Sequence, residues 1–142
     1  MKPIPDDTVR QLEQEAAAAR SRAYAPYSHF AVGAALLGEN GTVYTGCNIE
    51  NASYPAGNCA ERTAVFKAVS EGCRHFRAIA VAGGPEGTDR LTLCTPCGIC
   101  RQVLREFAGP DFPVWFSDGN GGFRRMTLSQ LLPESFGPDS LT

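Results

Sequence analysis

Two short segments constrain this chain more than any other part of it: Cys59-Ala60-Glu61-Arg62 and Pro96-Cys97-Gly98-Ile99-Cys100. Cysteines three positions apart, as at 97 and 100, can bind one metal from a single turn. Cys59 can complete a set of three protein ligands. That leaves one tetrahedral position open, as in a catalytic zinc site, whereas a structural zinc normally has all four positions filled by protein. The open position would hold water. Glu61, two residues after Cys59, stands where a proton carrier beside that water belongs.

Composition narrows the alternatives. The 142 residues are 43% apolar and 20% charged, which suits one globular domain spanning 1–142 and argues against disorder. A net charge of -2 gives no electrostatic case for nucleic-acid or membrane binding. The first residues, Met1 to Asp7, are too polar for a secretory signal, and the apolar run at 30–37 is too short to span a bilayer. A cytoplasmic enzyme is therefore expected. In that setting six cysteines read as metal ligands or inert thiols rather than three disulfides. Cys97 and Cys100 could form a redox pair, but such a pair has no use for a third cysteine beside a glutamate.

The pattern predicts a helix over 6–22, capped by Asp6 or Asp7, with Val9, Leu12 and an alanine run on its buried side. Strands are expected at 30–37 and 42–49, joined as a hairpin by Gly38-Glu39-Asn40-Gly41. Residues 50–58 form a polar loop of functional length. A helix follows over 59–71, with Asn58 as its cap and Ala60, Ala64, Val65 and Ala68 on one stripe. A short strand at 78–82 leads into a glycine-rich loop at 83–89. A third helix covers 96–107, with Ile99, Val103, Leu104 and Phe107 at helical spacing. Strands at 114–117 and 123–126 flank a glycine-rich turn, and Thr127 caps a last short helix to Leu132. The alternation predicts an α/β layered fold, with helices packed on a mixed sheet of five strands.

Both ligand segments thus fall at helix N-termini, where unpaired N–H groups and the helix dipole favour thiolate. Three thiolates leave the centre negative. Arg62 can offset this by donating hydrogen bonds to ligand sulfur, tuning the metal without touching it.

These paired motifs resemble the zinc nucleoside deaminases. Tyr24-Ala25-Pro26-Tyr27-Ser28-His29-Phe30 and Gly46-Cys47-Asn48-Ile49-Glu50-Asn51-Ala52 narrow the likeness to the short, homotetrameric cytidine deaminases. The resemblance runs from the first helix to Pro133. It implies a three-layer fold with helices on both sheet faces. It implies hydrolysis of cytidine and 2′-deoxycytidine to the uridines plus ammonia, in pyrimidine salvage. Glu61 would ferry protons between water, the ring N3 and the departing amine. The same resemblance places Phe30 against the pyrimidine, Asn48 and Glu50 on the sugar hydroxyls and Ala60 at the substrate, with Tyr54 and Phe136 contributing across a subunit interface. From the residues alone, Phe30 reads first as core packing, while Asn48 and Glu50 read equally as turn chemistry. Tyr54 and Phe136 read equally as ordinary aromatics. Cys47, Cys73 and Cys94 read as small buried residues, and His29 and His75 receive no role. Deamination of an antibiotic nucleoside, of a polynucleotide, or a non-enzymatic zinc module are the competing readings. The Asn48–Ala52 stretch favours ordinary ribosides, and the charge balance disfavours a polynucleotide.

Overall fold

Asp6–Ala19 forms helix α1, and a single 3-10 turn at Arg20–Arg22 continues it, so the expected 6–22 span holds. A computed structural model describes residues 2–142. Neither Asp6 nor Asp7 caps α1. Pro5 occupies the cap position without a side-chain bond, and both aspartates sit in the first turn, where negative charge suits the helix dipole; the Asp7 carboxylate pairs with Arg10.

Strands β1 (Phe30–Gly38) and β2 (Val43–Cys47) form the expected antiparallel hairpin, with Leu36 opposite Tyr44 and Ala34 opposite Gly46. Helix α2 (Ala60–Ser70), strand β3 (Phe76–Pro85), helix α3 (Gly98–Phe107), strands β4 (Pro113–Ser117) and β5 (Phe123–Thr127) and helix α4 (Leu128–Leu131) follow. The sheet order is β2-β1-β3-β4-β5. Only β3 and β4 run parallel; the other pairs are antiparallel, so the sheet is mixed.

β1 lies between two strands with helices over both faces, which is why its apolar run does not alternate. Ala35 and Leu37 of β1 and Ala78, Ala80 and Ala82 of β3 pack with Leu12 and Ala16 of α1. The alternate residues, Ala34, Leu36, Ile79 and Val81, pack with Ala64 and Val65 of α2, Leu104 of α3 and Leu128 of α4. Three layers result, with α1 on one side and α2, α3 and α4 on the other.

Small residues on the sheet bring the helix backbones down onto it. A Cβ at Gly33 would lie 2.0 Å from the carbonyl oxygen of Ala16 in α1, and one at Gly46 would lie 2.4 Å from that of Ala60 in α2. The obstructing atoms are backbone, so they cannot rotate aside. Gly33→Ala is expected to destabilise the fold by about 3 kcal/mol, the upper end for overpacking a core. Urea denaturation measures it, and an unchanged midpoint would disprove the close approach.

Several boundaries differ from the sequence pattern. β3 extends well beyond 78–82 and takes in Gly83 and Gly84, which pair with Val32 and Ala31. Those glycines read as a loop but serve close packing: a Cβ at Gly84 would sit 1.9 Å from the Arg90 carbonyl oxygen. β2 ends at Cys47 rather than residue 49: the Asn48 N–H still donates to the Val32 carbonyl at 3.2 Å, but the Asn48 carbonyl accepts from the Tyr24 N–H, and the Val32 N–H goes to the Asn48 side chain instead. α2 is capped by Cys59, not Asn58. The Asn58 side chain instead donates to the Thr63 hydroxyl at 3.2 Å. α3 begins at Gly98 rather than 96, and Ile99 stands exposed instead of joining Leu104 in the core. Thr127 caps α4 as expected, and Gln130 returns the bond to the Thr127 N–H.

Candidate metal centre and its pocket

α2 and α3 begin side by side on the same face of the sheet, and the cysteines sit at those beginnings. Cys59 is the N-cap of α2 and Cys97 the N-cap of α3; both have extended backbone. Cys100 is the third residue of α3 and is buried. The three Sγ atoms lie within 4.8 Å of one another. Cys59 Sγ and Cys97 Sγ are 3.7 Å apart. Tetrahedral zinc with bonds of about 2.3 Å separates its sulfurs by about 3.8 Å. Spacing, donor type and the free helix-terminal N–H groups all fit zinc, with one corner left open.

The thiols are already polarised. The hydrogen bond from Cys100 draws the Cys59 thiol down to about 5, and the Arg62 guanidinium and Cys97 pull the same way. That shared proton pushes Cys100 up. A zinc ion replaces such protons when it binds thiolate. Arg62 Nη2 donates to Cys59 Sγ at 3.3 Å. Its Nε is buried and has no hydrogen-bond partner among the described residues.

Glu61, on the first turn of α2, is 4% exposed. Burial pushes its carboxyl up to about 7, and negative charge on Cys59 adds to the push. A carboxyl so placed can hold or release a proton near neutrality.

A hollow of about 460 Å³ opens beside Cys59 and Arg62. Asn48, Glu50 and Tyr54 line it, and so do Tyr27, Ser28 and Asn58. Asn48 Oδ1 accepts from the Val32 N–H at 2.9 Å, and its Nδ2 donates to the Phe30 carbonyl at 2.8 Å. Its amide thus takes the place of a strand partner on either side of Ala31. Glu50 Oε1 accepts from the N–H groups of Tyr27 and Ser28 at 3.0 and 3.1 Å, and Oε2 accepts from the Ser28 hydroxyl. That hydroxyl bond is the foremost reason the Glu50 carboxyl lies below its ordinary value. Tyr54 is exposed, with its ring centroid 6.1 Å from that of Tyr27.

Phe30, Ala60 and Phe136 are not among the residues lining this hollow. The Phe30 ring packs over Gly83 next to Cys94: a Cβ on Gly83 would meet Cys94 Sγ at 2.5 Å and Phe30 Cε2 at 2.9 Å. Ala60 is buried, and its carbonyl lies against Gly46. Phe136 is exposed on the C-terminal segment, where Gln102 of α3 donates to its carbonyl at 2.8 Å. All six cysteines are free thiols. Cys94 is half-buried, and burial pushes its thiol up to about 12, in keeping with an inert residue.

Sequence reasoning passed over Ser28, although it lies in a quoted motif, because a serine before a strand ordinarily reads as turn chemistry. It also passed over Arg20. That buried guanidinium donates to the carbonyls of Ala31, Thr88 and Pro85, tying the end of α1 to β1 and to the turn after β3. Nothing in the local pattern distinguishes it from an arginine at a solvated helix end. Among the described residues, no helix is long and apolar enough to cross a membrane.

Comparison with known proteins agrees with this geometry. Residues 7–115 match the family described as the cytidine and deoxycytidylate deaminase zinc-binding region. A cytidine deaminase of Sporosarcina psychrophila is 49% identical over 134 residues, covering 94% of this chain and 95% of that one. The crystal structure of cytidine deaminase from Burkholderia pseudomallei superposes with a TM-score of 0.80 at 46% identity, over 89% of this chain and 98% of that one. Cytidine deaminase from Mycobacterium tuberculosis superposes with a TM-score of 0.77 at 39% identity, over 94% of this chain and 99% of the other. Three thiols that converge at zinc spacing, and a match over most of the chain, place it in the cytidine and deoxycytidylate deaminase zinc-binding family.

Proposed function

We propose that residues 1–142 form one deaminase domain that hydrolyses free cytidine and 2′-deoxycytidine to uridine and 2′-deoxyuridine, releasing ammonia. The observation that carries this reading is a buried Glu61 next to Cys59, one of three sulfurs converging at the starts of two helices. Cys59, Cys97 and Cys100 would hold zinc, which supplies the Lewis acidity that makes water a nucleophile at neutral pH.

Glu61 does the proton work. Its carboxylate accepts a proton from water and delivers it to ring N3 as C4 is attacked. It then moves the hydroxyl proton at C4 to the amine as the C4–N bond breaks. Ala60 sits beside it at the helix start. Asn48 and Glu50 retain free acceptor and donor capacity for sugar hydroxyls. Phe30 supplies an aromatic face for the pyrimidine. Arg62 holds Cys59 in its thiolate form. Among the described residues, Arg62 is the one cation lining the hollow, and its Nη2 is taken up by Cys59. With Glu50 also present, the hollow suits an unphosphorylated nucleoside better than a nucleotide.

The same reading gives a homotetramer in the cytoplasm, working in pyrimidine salvage. Tyr54, Phe66, Ile99, Phe136 and Leu141 expose large apolar side chains in the single chain. Such side chains are suited to burial between subunits, with Tyr54 and Phe136 completing neighbouring active sites.

Cytidine absorbance should fall steadily when purified protein is added, and 2′-deoxycytidine should behave alike. Unchanged absorbance with both nucleosides would refute the reaction. Light scattering should give the mass of four chains, and a fully active monomer would refute the shared sites.

A further inference from the structure

We infer that Ser28 is a positioning residue: its hydroxyl aims the Glu50 carboxylate at the sugar and ties it to the backbone that carries Phe30. This rests on the deaminase reading above and adds a residue to it.

The argument is one of lone pairs. A carboxylate offers about four acceptor sites. Glu50 Oε1 receives two N–H groups, from Tyr27 and Ser28, and is filled. Oε2 receives only the Ser28 hydroxyl, so its remaining site is the one left for a ligand. The same hydroxyl accepts from the Phe30 N–H at 3.1 Å. One oxygen therefore bridges the residue proposed to bind sugar and the first residue of β1. Asn48 grips the Phe30 carbonyl. Both polar groups of the Phe30 main chain are thus held by side chains that line the hollow. His29, between Ser28 and Phe30, adopts φ 55. That left-handed turn lets the Ser28 side chain fold back over Glu50 while its neighbour enters the strand. Ser28 is exposed, so replacing it opens no core cavity.

In Ser28→Ala the two N–H bonds to Oε1 remain, but Oε2 is free to swing. The expected result is a KM for cytidine raised about tenfold, as for loss of one charge-assisted bond, with kcat little changed. KM for 2′,3′-dideoxycytidine, which lacks the 2′- and 3′-hydroxyls and keeps only the 5′-hydroxyl, should stay within about twofold. Ser28→Thr keeps the hydroxyl and should restore the cytidine value. A purely structural role would raise KM for both nucleosides together, and that outcome overturns the proposal.

Glu50→Gln separates the two layers of the argument. If it abolishes the preference for cytidine over the dideoxynucleoside and Ser28→Ala does not, the Ser28 role is overturned while the sugar reading stands. If neither variant alters the preference, both fall. Protein that turns over neither nucleoside overturns the Ser28 role together with the deaminase reading.

Discussion

Replacing Glu61 with glutamine should lower cytidine turnover by about 10⁴-fold while zinc remains at one per chain. General acid–base catalysis is typically worth about 10²–10⁴-fold, and the upper end applies because one carboxylate serves two successive transfers. Glutamine has nearly the same shape and fills the same buried site, so packing does not explain a loss. It can donate and accept hydrogen bonds, but it cannot take a proton from water and give it up again. Burial already pushes the Glu61 carboxyl up to about 7, so replacing it with a neutral amide removes a desolvated charge rather than a stabilising one. The variant should therefore melt no lower than the parent. Turnover above about a tenth of the parent value, with zinc bound, would move the proton work to another group.

Cys100→Ala should abolish zinc binding, and turnover should fall below detection with it. Cys100 is 1% exposed, and its sulfur lies within 4.8 Å of the other two. Two donors at helix caps cannot replace three. Because metal binding is coupled to folding, the parent should melt at a lower temperature after chelation, and Cys100→Ala should not respond to chelator. Cys73→Ala is the control. Cys73 is equally a core cysteine, 8% exposed, but its thiol reaches only the His75 carbonyl. It should keep zinc and activity and lose about 1 kcal/mol of stability. A fully metallated Cys100→Ala would show that the three-sulfur centre is wrong.

The parts legible in the sequence were those set by local periodicity or by coordination chemistry. The unbroken apolar run of β1, the stripe Ala60-Ala64-Val65-Ala68 on α2 and the Thr127 cap each follow from their own neighbours. The cysteine spacing demanded convergence, and the fold supplies it. What was not legible depends on distant partners. Gly83 and Gly84 look like loop residues until Phe30, Cys94 and Arg90 are seen against them. Asn58 looks like a cap until Cys59 takes that place and Asn58 turns to Thr63. Ile99 carries the right spacing for the core, yet the start of α3 leaves it facing out. Arg20 has three carbonyl partners from residues 11 to 68 positions away, a distance no local pattern reports.

The two sides of the sheet are not equivalent for the cation. α2 and α3 each start at a sulfur donor and then run down over one shared layer of side chains, whereas α1 reaches the chemistry through no donor at all. Trimming Val65 or Leu104 should therefore loosen the grip on the ion as well as the fold, since the helix origins shift with their bodies. Trimming Leu12 should weaken the fold and leave that grip intact.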